Sequence, residues 1–166
     1  DCVSNNVAVG SSALLAFTGS EATAVGSGAA DAATTATNLT AVGMDALTRC
    51  REGLSNTAVG KDAGAYVYDG DYGTFLGWAA GGTTTGQRNT IIGASAGRYA
   101  TSIDDCIAIG YKALVAADSA GDNSDNATGN SNIAIGNYSL DATTSGNLNI
   151  GIGYGSLSAV ETAVSN

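Results

Sequence analysis

The chain has 166 residues, of which 24 are glycine and none is proline or histidine, and its formal net charge is −9. Without histidine there is no ordinary catalytic triad and no imidazole base, so we expect the protein not to be an enzyme. The negative charge disfavours nucleic acid and anionic membranes as partners, and no stretch reaches the roughly 20 apolar residues that span a bilayer.

A unit of the form Thr/Ile-Ala-Val/Ile-Gly-x-x-Ala-Leu recurs nine times along the chain. In chain order, its copies occupy 7–14, 23–30, 40–47, 57–64, 74–81, 90–97, 107–114, 133–140 and 150–157. The central glycines are Gly10, Gly26, Gly43, Gly60, Gly77, Gly93, Gly110, Gly136 and Gly153, with spacings of 16, 17, 17, 17, 16, 17, 26 and 17 residues. The regular spacing predicts a single repeat domain over 1–166.

The one long interval between glycines equals a normal repeat plus nine residues. It contains a polar run, 117–132, whose composition is typical of an inserted loop. Because insertions in repeat arrays tend to lie on a binding face, residues 118–130 are a candidate contact loop. The candidate contact residues in it are Asp118, Asp122, Asn123, Asp125 and Asn126.

Each copy predicts a short strand that ends at the central glycine. The residue before the glycine is Val, Leu or Ile in all nine copies, and the residue two positions earlier is Thr, Val or Ile. These two residues share one face of the strand, which we expect to be buried. The glycine ends the strand because a positive φ or a close approach to the next layer is needed there.

One copy is too short to close its own core, so successive copies must stack. This predicts an all-β fold, a β-solenoid or parallel β-roll of about nine repeats of 16 or 17 residues. The rival interpretation is helical, since 31–37 and 44–50 contain good helix formers. Glycine in every repeat and β-branched residues before it oppose a helix.

The middle residue of each predicted strand lies on the opposite face from the two flanking residues. We expect this row to point outward and to be covered by another copy of the chain, because an apolar row exposed to water is unfavourable. The predicted self-assembly residues are Ala8, Ala24, Ala41, Ala58, Phe75, Ile91, Ala108 and Ala134.

Threonine recurs at the first strand position of five successive copies, at Thr23, Thr40, Thr57, Thr74 and Thr90. Threonine ladders on flat solenoids can order water, so ice binding is the alternative function. The expected burial of these threonines beside the Val and Ile residues opposes it.

The motifs Asn-Thr-Ala-Val-Gly at 56–60 and Asn-x-Ala-Ile-Gly-x-x-Ser at 132–139 resemble the repeats of trimeric autotransporter adhesin heads and of phage and large-virus tail fibres. The resemblance covers about 5–157. It implies a left-handed parallel β-roll, commonly a homotrimer, on a cell surface, on a virion or otherwise outside the cell. It also implies a structural, fibre-forming role as an adhesive or spacer module. In this chain the period is longer than in the adhesin heads, and Ala22, Leu39, Gly73 and Cys106 replace the asparagine before the strand.

Neither end of the array shows a polar cap, so end-to-end stacking of protomers into a filament is expected as the alternative to a trimer. The three cysteines, Cys2, Cys50 and Cys106, cannot all pair within one chain. Layers of about 4.8 Å place them ~14 Å apart, which is too far for a disulfide. They are interpreted as small buried residues, with an intermolecular disulfide from Cys2 to the adjoining protomer as the alternative.

Aromatic residues cluster in one part of the array, where Tyr66, Tyr68, Tyr72 and Trp78 fall within 13 residues. Exposed aromatic rings flanked by Asp and Asn can stack on sugar rings, so these four are the candidate contact surface for a cell-surface glycan or protein. The alternative is that they pack in a seam between chains.

Acidic residues recur in turn-like segments. Asp69 and Asp71, or Asp104 and Asp105, are candidate carboxylate pairs for a glycosidase, while Asp69 with Asp71 and the segment 122–126 offer oxygen ligands for calcium. Counted from Asp122, a calcium-binding loop would require glycine at the sixth position and glutamate at the twelfth, and neither is present. Ordinary turn chemistry explains these residues better, and we expect no cofactor, with calcium as the alternative.

Overall fold

The computed structural model describes residues 5–115, 129–141 and 145–158. In this part of the chain the backbone forms nine strands of three residues each and no helix, so the helical interpretation of 31–37 and 44–50 is wrong. Nor do the described residues include a helix that is able to span a membrane. The strands are β1 (Val7–Val9), β2 (Thr23–Val25), β3 (Thr40–Val42), β4 (Thr57–Val59), β5 (Thr74–Leu76), β6 (Thr90–Ile92), β7 (Ile107–Ile109), β8 (Ile133–Ile135) and β9 (Ile150–Ile152).

All nine strands form one parallel sheet in chain order, from β1 to β9. Each strand pairs with the next at the same repeat position, so that Ala41 lies opposite Ala58. The longer interval does not shift this register, because Ile107 of β7 lies opposite Ile133 of β8. The fold is therefore a β-solenoid in which each coil, the stretch from the first residue of one strand to the residue before the next strand, contributes one strand. The predicted all-β solenoid is confirmed.

The repeat glycines are required by both the backbone conformation and the next coil. Their φ angles lie between 115° and 140°, a region that other residues rarely adopt. A Cβ on Gly43 would lie 2.5 Å from the carbonyl oxygen of Gly60, and the other repeat glycines from Gly10 to Gly136 meet the following glycine in the same way. Both reasons predicted for these glycines are therefore confirmed.

Three further positions in each coil adopt positive φ, and most of them are occupied by residues other than glycine. The first is the second residue after the repeat glycine, such as Asp62 at 58°, and the second is the fourth residue after it, such as Leu47 at 50°. The third is the second residue before the strand, such as Ser55 at 55°. In all, 22 non-glycine residues of the described part have positive φ. Each costs roughly 1 kcal/mol or more in isolation, so these bends depend on the hydrogen bonds and packing between stacked coils.

The face of the strands predicted to be buried points outward, and the face predicted to point outward is buried. The middle residues from β2 to β9 are buried, and Phe75 and Ile91 are 0% exposed. The flanking residues point outward, and Leu76 is 45% exposed. The predicted outward row, comprising Ala24, Ala41, Ala58, Phe75, Ile91, Ala108 and Ala134, therefore lies inside the solenoid, while Ala8 of β1 is exposed.

The thinness of the coil explains this orientation. The middle residue of a strand shares the core with the fourth residue after the glycine, and in most coils their sizes compensate. Ala41 accompanies Leu47 and Ala108 accompanies Leu114, whereas Phe75 accompanies Gly81. The exceptions are Ala24 with Ala30 and Ala58 with Gly64, and a side chain on Gly64 would meet Leu47 and Phe75 of the adjacent coils. A Cβ on Gly81 would overlap Phe75, and one on Gly97 would lie 2.8 Å from Cδ1 of Ile91. The interior has room for one such pair per coil, and two flanking β-branched residues would overfill it.

Buried asparagines join consecutive coils at the position before the strand. Asn56 donates from Nδ2 to the carbonyl of Gly70 at 2.6 Å and accepts the backbone N–H of Gly73 at 2.7 Å. Asn132 repeats both bonds, with the carbonyl of Gly146 at 2.7 Å and the N–H of Asn149 at 2.9 Å. We call this pair of hydrogen bonds the asparagine clamp. It satisfies the buried amide and ties each such coil to the next.

Candidate interaction surfaces

The outward residues of β1–β9 form two parallel columns that we call the strand face. All 18 are exposed or half-buried. The first column is Val7, Thr23, Thr40, Thr57, Thr74, Thr90, Ile107, Ile133 and Ile150. The second column is Val9, Val25, Val42, Val59, Leu76, Ile92, Ile109, Ile135 and Ile152.

The strand face is uncharged and mostly apolar. Five of its residues are threonines and none is ionisable. Nine strands spaced about 4.8 Å apart, each about 10 Å long, cover roughly 400 Å². The largest apolar patch on a monomer is typically about 300–600 Å² and often functional, so the strand face is a candidate contact surface.

A second surface combines basic and aromatic side chains on the part of the coil that follows the glycine. Arg49 lies 4.9 Å from the ring centre of Tyr66, and Arg98 lies 5.2 Å from the ring centres of both Trp78 and Tyr99. We call this surface the basic–aromatic groove. Its defining residues are Arg49, Arg51, Tyr66, Tyr68, Trp78, Arg98, Tyr99 and Lys112.

The structure brings part of the predicted aromatic cluster together. Tyr66 and Tyr68 lie edge to face with ring centres 6.4 Å apart, and Trp78 lies one coil further on against Arg98. Tyr72 is exposed, and no ring or cation contact is found for it among the described residues. The prediction missed the arginines, although the repeat period points to them: Arg49 precedes Tyr66, and Arg51 precedes Tyr68, by one 17-residue repeat.

Three further tyrosines, not singled out from the sequence, form a ladder near the end of the array. The ring centres of Tyr111 and Tyr138 are 5.4 Å apart, and those of Tyr138 and Tyr154 are 5.8 Å apart, both edge to face. The ladder continues the aromatic surface from Lys112, which lies 5.7 Å from the centre of the Tyr111 ring.

The acidic residues of the turns are engaged by the backbone and by arginine. Asp71 accepts the N–H of Leu54 at 2.7 Å, and Asp104 accepts the N–H of Gln87 at 2.7 Å. Arg88 donates to Asp105 at 2.6 Å and holds the pKa of that carboxyl below its usual value. Within 5–115, 129–141 and 145–158, no group of three or more His, Cys, Asp or Glu residues is placed to hold a metal ion.

Cys50 and Cys106 are free and buried, as expected for small core residues. Burial raises the pKa of each thiol to about 11. Cys106 stands where other coils have asparagine and forms the same two bonds: it accepts the N–H of Asn132 at 3.4 Å and faces the carbonyl of Gly129 at 3.5 Å. The thiol is therefore a substitute for the asparagine clamp.

Two predicted sets of contact residues lie outside the described residues. They are the candidate intermolecular cysteine, Cys2, and the loop residues Asp118, Asp122, Asn123, Asp125 and Asn126.

The fold and its surfaces define the class of the protein: a parallel β-solenoid built from tandem repeats of about 17 residues. No protein-family model, curated protein or solved structure matches the chain.

Proposed function

We propose that this protein is a structural, fibre-forming extracellular repeat protein that assembles with copies of itself through the strand face. The observation that carries the proposal is the outward direction of two uncharged columns along all nine strands, one of them entirely Val, Leu and Ile and the other Thr, Val and Ile. Covering them removes a large apolar surface from water, and apolar burial is the main driving force for association.

A second copy of the chain fits this face because each copy carries the same ladder. Sheets pack face to face at about 10 Å, with the side chains of the two faces interdigitating. A repeated, uncharged ladder matches another such ladder over its full length, and closed rotational symmetry gives every copy the same contact. The resemblance to adhesin heads and tail fibres favours a trimer, with an end-to-end filament as the alternative.

Its role would be mechanical, as an adhesive or spacer module on a cell or virion surface. Support comes from the continuous in-register stacking of the coils and from the asparagine clamps that join them. A rod of this kind transmits force along its axis, and side chains on the other faces are free to recognise a ligand.

The assembly is tested with one substitution on the strand face and a matched one elsewhere. Leu76→Asp places a charge on the strand face, whereas Met44→Asp places one at an equally exposed apolar residue outside it, the two side chains being 45% and 44% exposed. We expect the native chain and Met44→Asp to elute as one oligomer in size-exclusion chromatography with light scattering, and Leu76→Asp to elute as a monomer. A native chain that stays monomeric at tens of micromolar, or an oligomeric Leu76→Asp, contradicts the proposal.

Ice binding is the second candidate function. The expected burial of the threonines opposed it, and the outward direction of these side chains removes that objection. Thr23, Thr57 and Thr74 are exposed, and Thr40 and Thr90 are half-buried, so the five form an outward ladder rather than a buried one. If this ladder binds ice, the chain shows thermal hysteresis that Thr57→Tyr abolishes and Met44→Tyr leaves unchanged. Absence of hysteresis in the native chain rejects this candidate.

A further inference from the structure

We propose that the basic–aromatic groove binds an acidic polysaccharide, a linear sugar chain carrying carboxylate or sulfate groups. The proposal deepens the adhesive role given above, but it uses a different surface from the strand face. Assembly and ligand binding are therefore tested separately.

Two neighbouring cavities follow one another along the groove. One of about 420 Å³ lies beside Tyr66, and another of about 260 Å³ lies beside Tyr138. Arg98 and Tyr99 line both of them, so the two cavities meet at these side chains. From the coil of Tyr66 to that of Tyr138 the groove crosses four intervals between coils, or roughly 19 Å at a spacing of about 4.8 Å. This shape suits an extended chain rather than a compact molecule.

Small residues form the floor of the groove. Ala65, Ala79 and Gly82 line one cavity, and Ser95 lines the other. Because these side chains are short, the rings and guanidinium groups on either side stand above them. A ligand lying on the floor therefore contacts rings and charged groups at its flanks.

The groove is less negative than the chain as a whole. Four of the six basic residues, Arg49, Arg51, Arg98 and Lys112, line it or an adjoining cavity, against three of the 15 acidic residues, Asp31, Asp62 and Asp141. The lining of all three cavities therefore carries a net charge of +1, and that of the two cavities sharing Arg98 is neutral, on a chain whose net charge is −9. An anionic ligand is repelled less here than over the remaining surface.

The arginines of the groove are held in place without being neutralised. In the described part of the chain, the two ion pairs are Lys61 with Asp62 and Arg88 with Asp105, so Arg49, Arg51 and Arg98 contact rings rather than carboxylates. A guanidinium stacked on a ring keeps its N–H donors directed sideways, where they can bind a carboxylate or sulfate in a bidentate manner.

Exposed aromatic surface beside these donors favours a sugar over another kind of anion. Tyr66 and Trp78 are 41% and 47% exposed. Aromatic side chains present an apolar body and a polar tip, which matches the apolar faces and polar edges of sugar rings. An acidic polysaccharide offers a ring to the aromatic side chains and an anion to the arginines within the same unit.

The binding test uses the whole chain and two pairs of matched probes. The acidic probes are a galacturonate hexamer and dextran sulfate, and their neutral counterparts are the methyl-esterified hexamer and plain dextran. We expect at least one acidic probe to bind in isothermal titration calorimetry and its neutral counterpart to bind at least ~10-fold more weakly, as expected for the loss of charge-assisted hydrogen bonds. Affinity should also fall as salt is added.

Variants localise the binding. Arg98→Gln should weaken it by about 10-fold or more, and Arg49→Gln provides a second variant should the first fail to fold. Arg88→Gln removes an arginine outside the groove and should leave the affinity unchanged. Arg98→Gln should also keep the oligomeric state of the native chain, which separates loss of ligand binding from loss of assembly.

Several results overturn the inference. It is wrong if neither acidic probe binds, if the neutral probes bind as tightly, or if folded Arg98→Gln and Arg49→Gln retain native affinity. Equal binding of polyglutamate also overturns it, because the groove would then recognise acidic polypeptide as well as it does sugar.

Discussion

At the scale of single residues, the position before each strand decides how one coil holds the next. Asn56, Asn89 and Asn132 are buried at this position and form the asparagine clamp. In each clamp, one side chain forms hydrogen bonds with a backbone carbonyl and a backbone N–H of the next coil. The sequence shows the recurrence of asparagine and its replacement by Cys106, but not that the thiol forms equivalent bonds. That equivalence depends on bringing Gly129 and Asn132 to Cys106, from which they are 23 and 26 residues distant in the sequence.

Substitutions at Cys106 test this role. Cys106→Ala leaves the N–H of Asn132 without its acceptor, and a buried unsatisfied donor costs about 1–3 kcal/mol. Cys106→Asn restores the side chain used in the neighbouring coils, so we expect it to be at least as stable as the native chain. Urea unfolding measures both, and equal stability of the alanine and asparagine variants contradicts the substitute role.

The buried thiols also predict a loss of stability at alkaline pH. The pKa of Cys50 and Cys106 is about 11 in the folded chain, against an ordinary value of 9.0 for a cysteine thiol, so the unfolded chain loses these protons first. Raising the pH from about 9 to about 11 therefore favours unfolding, by roughly 2–3 kcal/mol for each thiol once both states are ionised.

Because tyrosine and lysine ionise in the same range, the control is the double variant Cys50→Ser/Cys106→Ser. The difference in unfolding free energy between the native chain and this variant should shrink by several kcal/mol between pH 8 and pH 11. A difference independent of pH contradicts the predicted shifts.

The aromatic contacts were partly predictable at the same scale. The cluster of Tyr66, Tyr68 and Trp78 is visible in the sequence, and two arginines stand one repeat before the first two of them. The period alone therefore places Arg49 beside Tyr66. The position of Arg98 between Trp78 and Tyr99 was not predictable, because it depends on how the side chains turn around the bend of the coil.

At the scale of the strand, the alternation of side chains along the backbone predicted two faces, but it did not show which of the two faces is buried. A three-residue strand such as Thr40–Val42 has apolar side chains on both faces, and a shift of one residue exchanges them. The larger Val and Ile residues were expected inside because large apolar side chains usually are. The narrow coil overrides that preference, since its interior is already filled by the middle residue of the strand together with the fourth residue after the glycine.

Size compensation within a coil gives a direct test of this packing. Gly81→Leu overlaps Phe75 at a position of positive φ, and Phe75→Ala leaves a cavity, so we expect each to cost about 3–5 kcal/mol. The double variant reproduces the pair found as Ala41 with Leu47, and it should be more stable than the two single costs predict by at least about 2 kcal/mol.

A mismatched double variant is the control for that coupling. Phe75→Ala with Gly97→Leu combines changes in two coils, and Gly97 faces Ile91 rather than Phe75. The free-energy cost of this mismatched double variant should therefore be closer to the sum of the two single costs than the cost of the matched double variant is. If urea unfolding gives the same coupling free energy for the matched and the mismatched double variants, the middle strand residue and the fourth residue after the glycine do not compensate for one another within a coil.

At the scale of the whole molecule, the stacking was predictable because it depends only on the repeat. The nine glycines and their spacing predict one strand per coil, and the observed parallel order follows the chain. What the sequence did not show is how the bends close, since 22 of the residues with positive φ are not glycine. Those conformations are imposed by the neighbouring coils, and no local signal marks them.

At this scale the outward strand face is proposed to be covered by other copies of the chain. Sedimentation equilibrium of the native chain over a range of micromolar concentrations tests this self-assembly most directly. The account predicts a mass that is a whole-number multiple of the monomer, three if the assembly is a closed trimer. A single monomeric species at every concentration contradicts it.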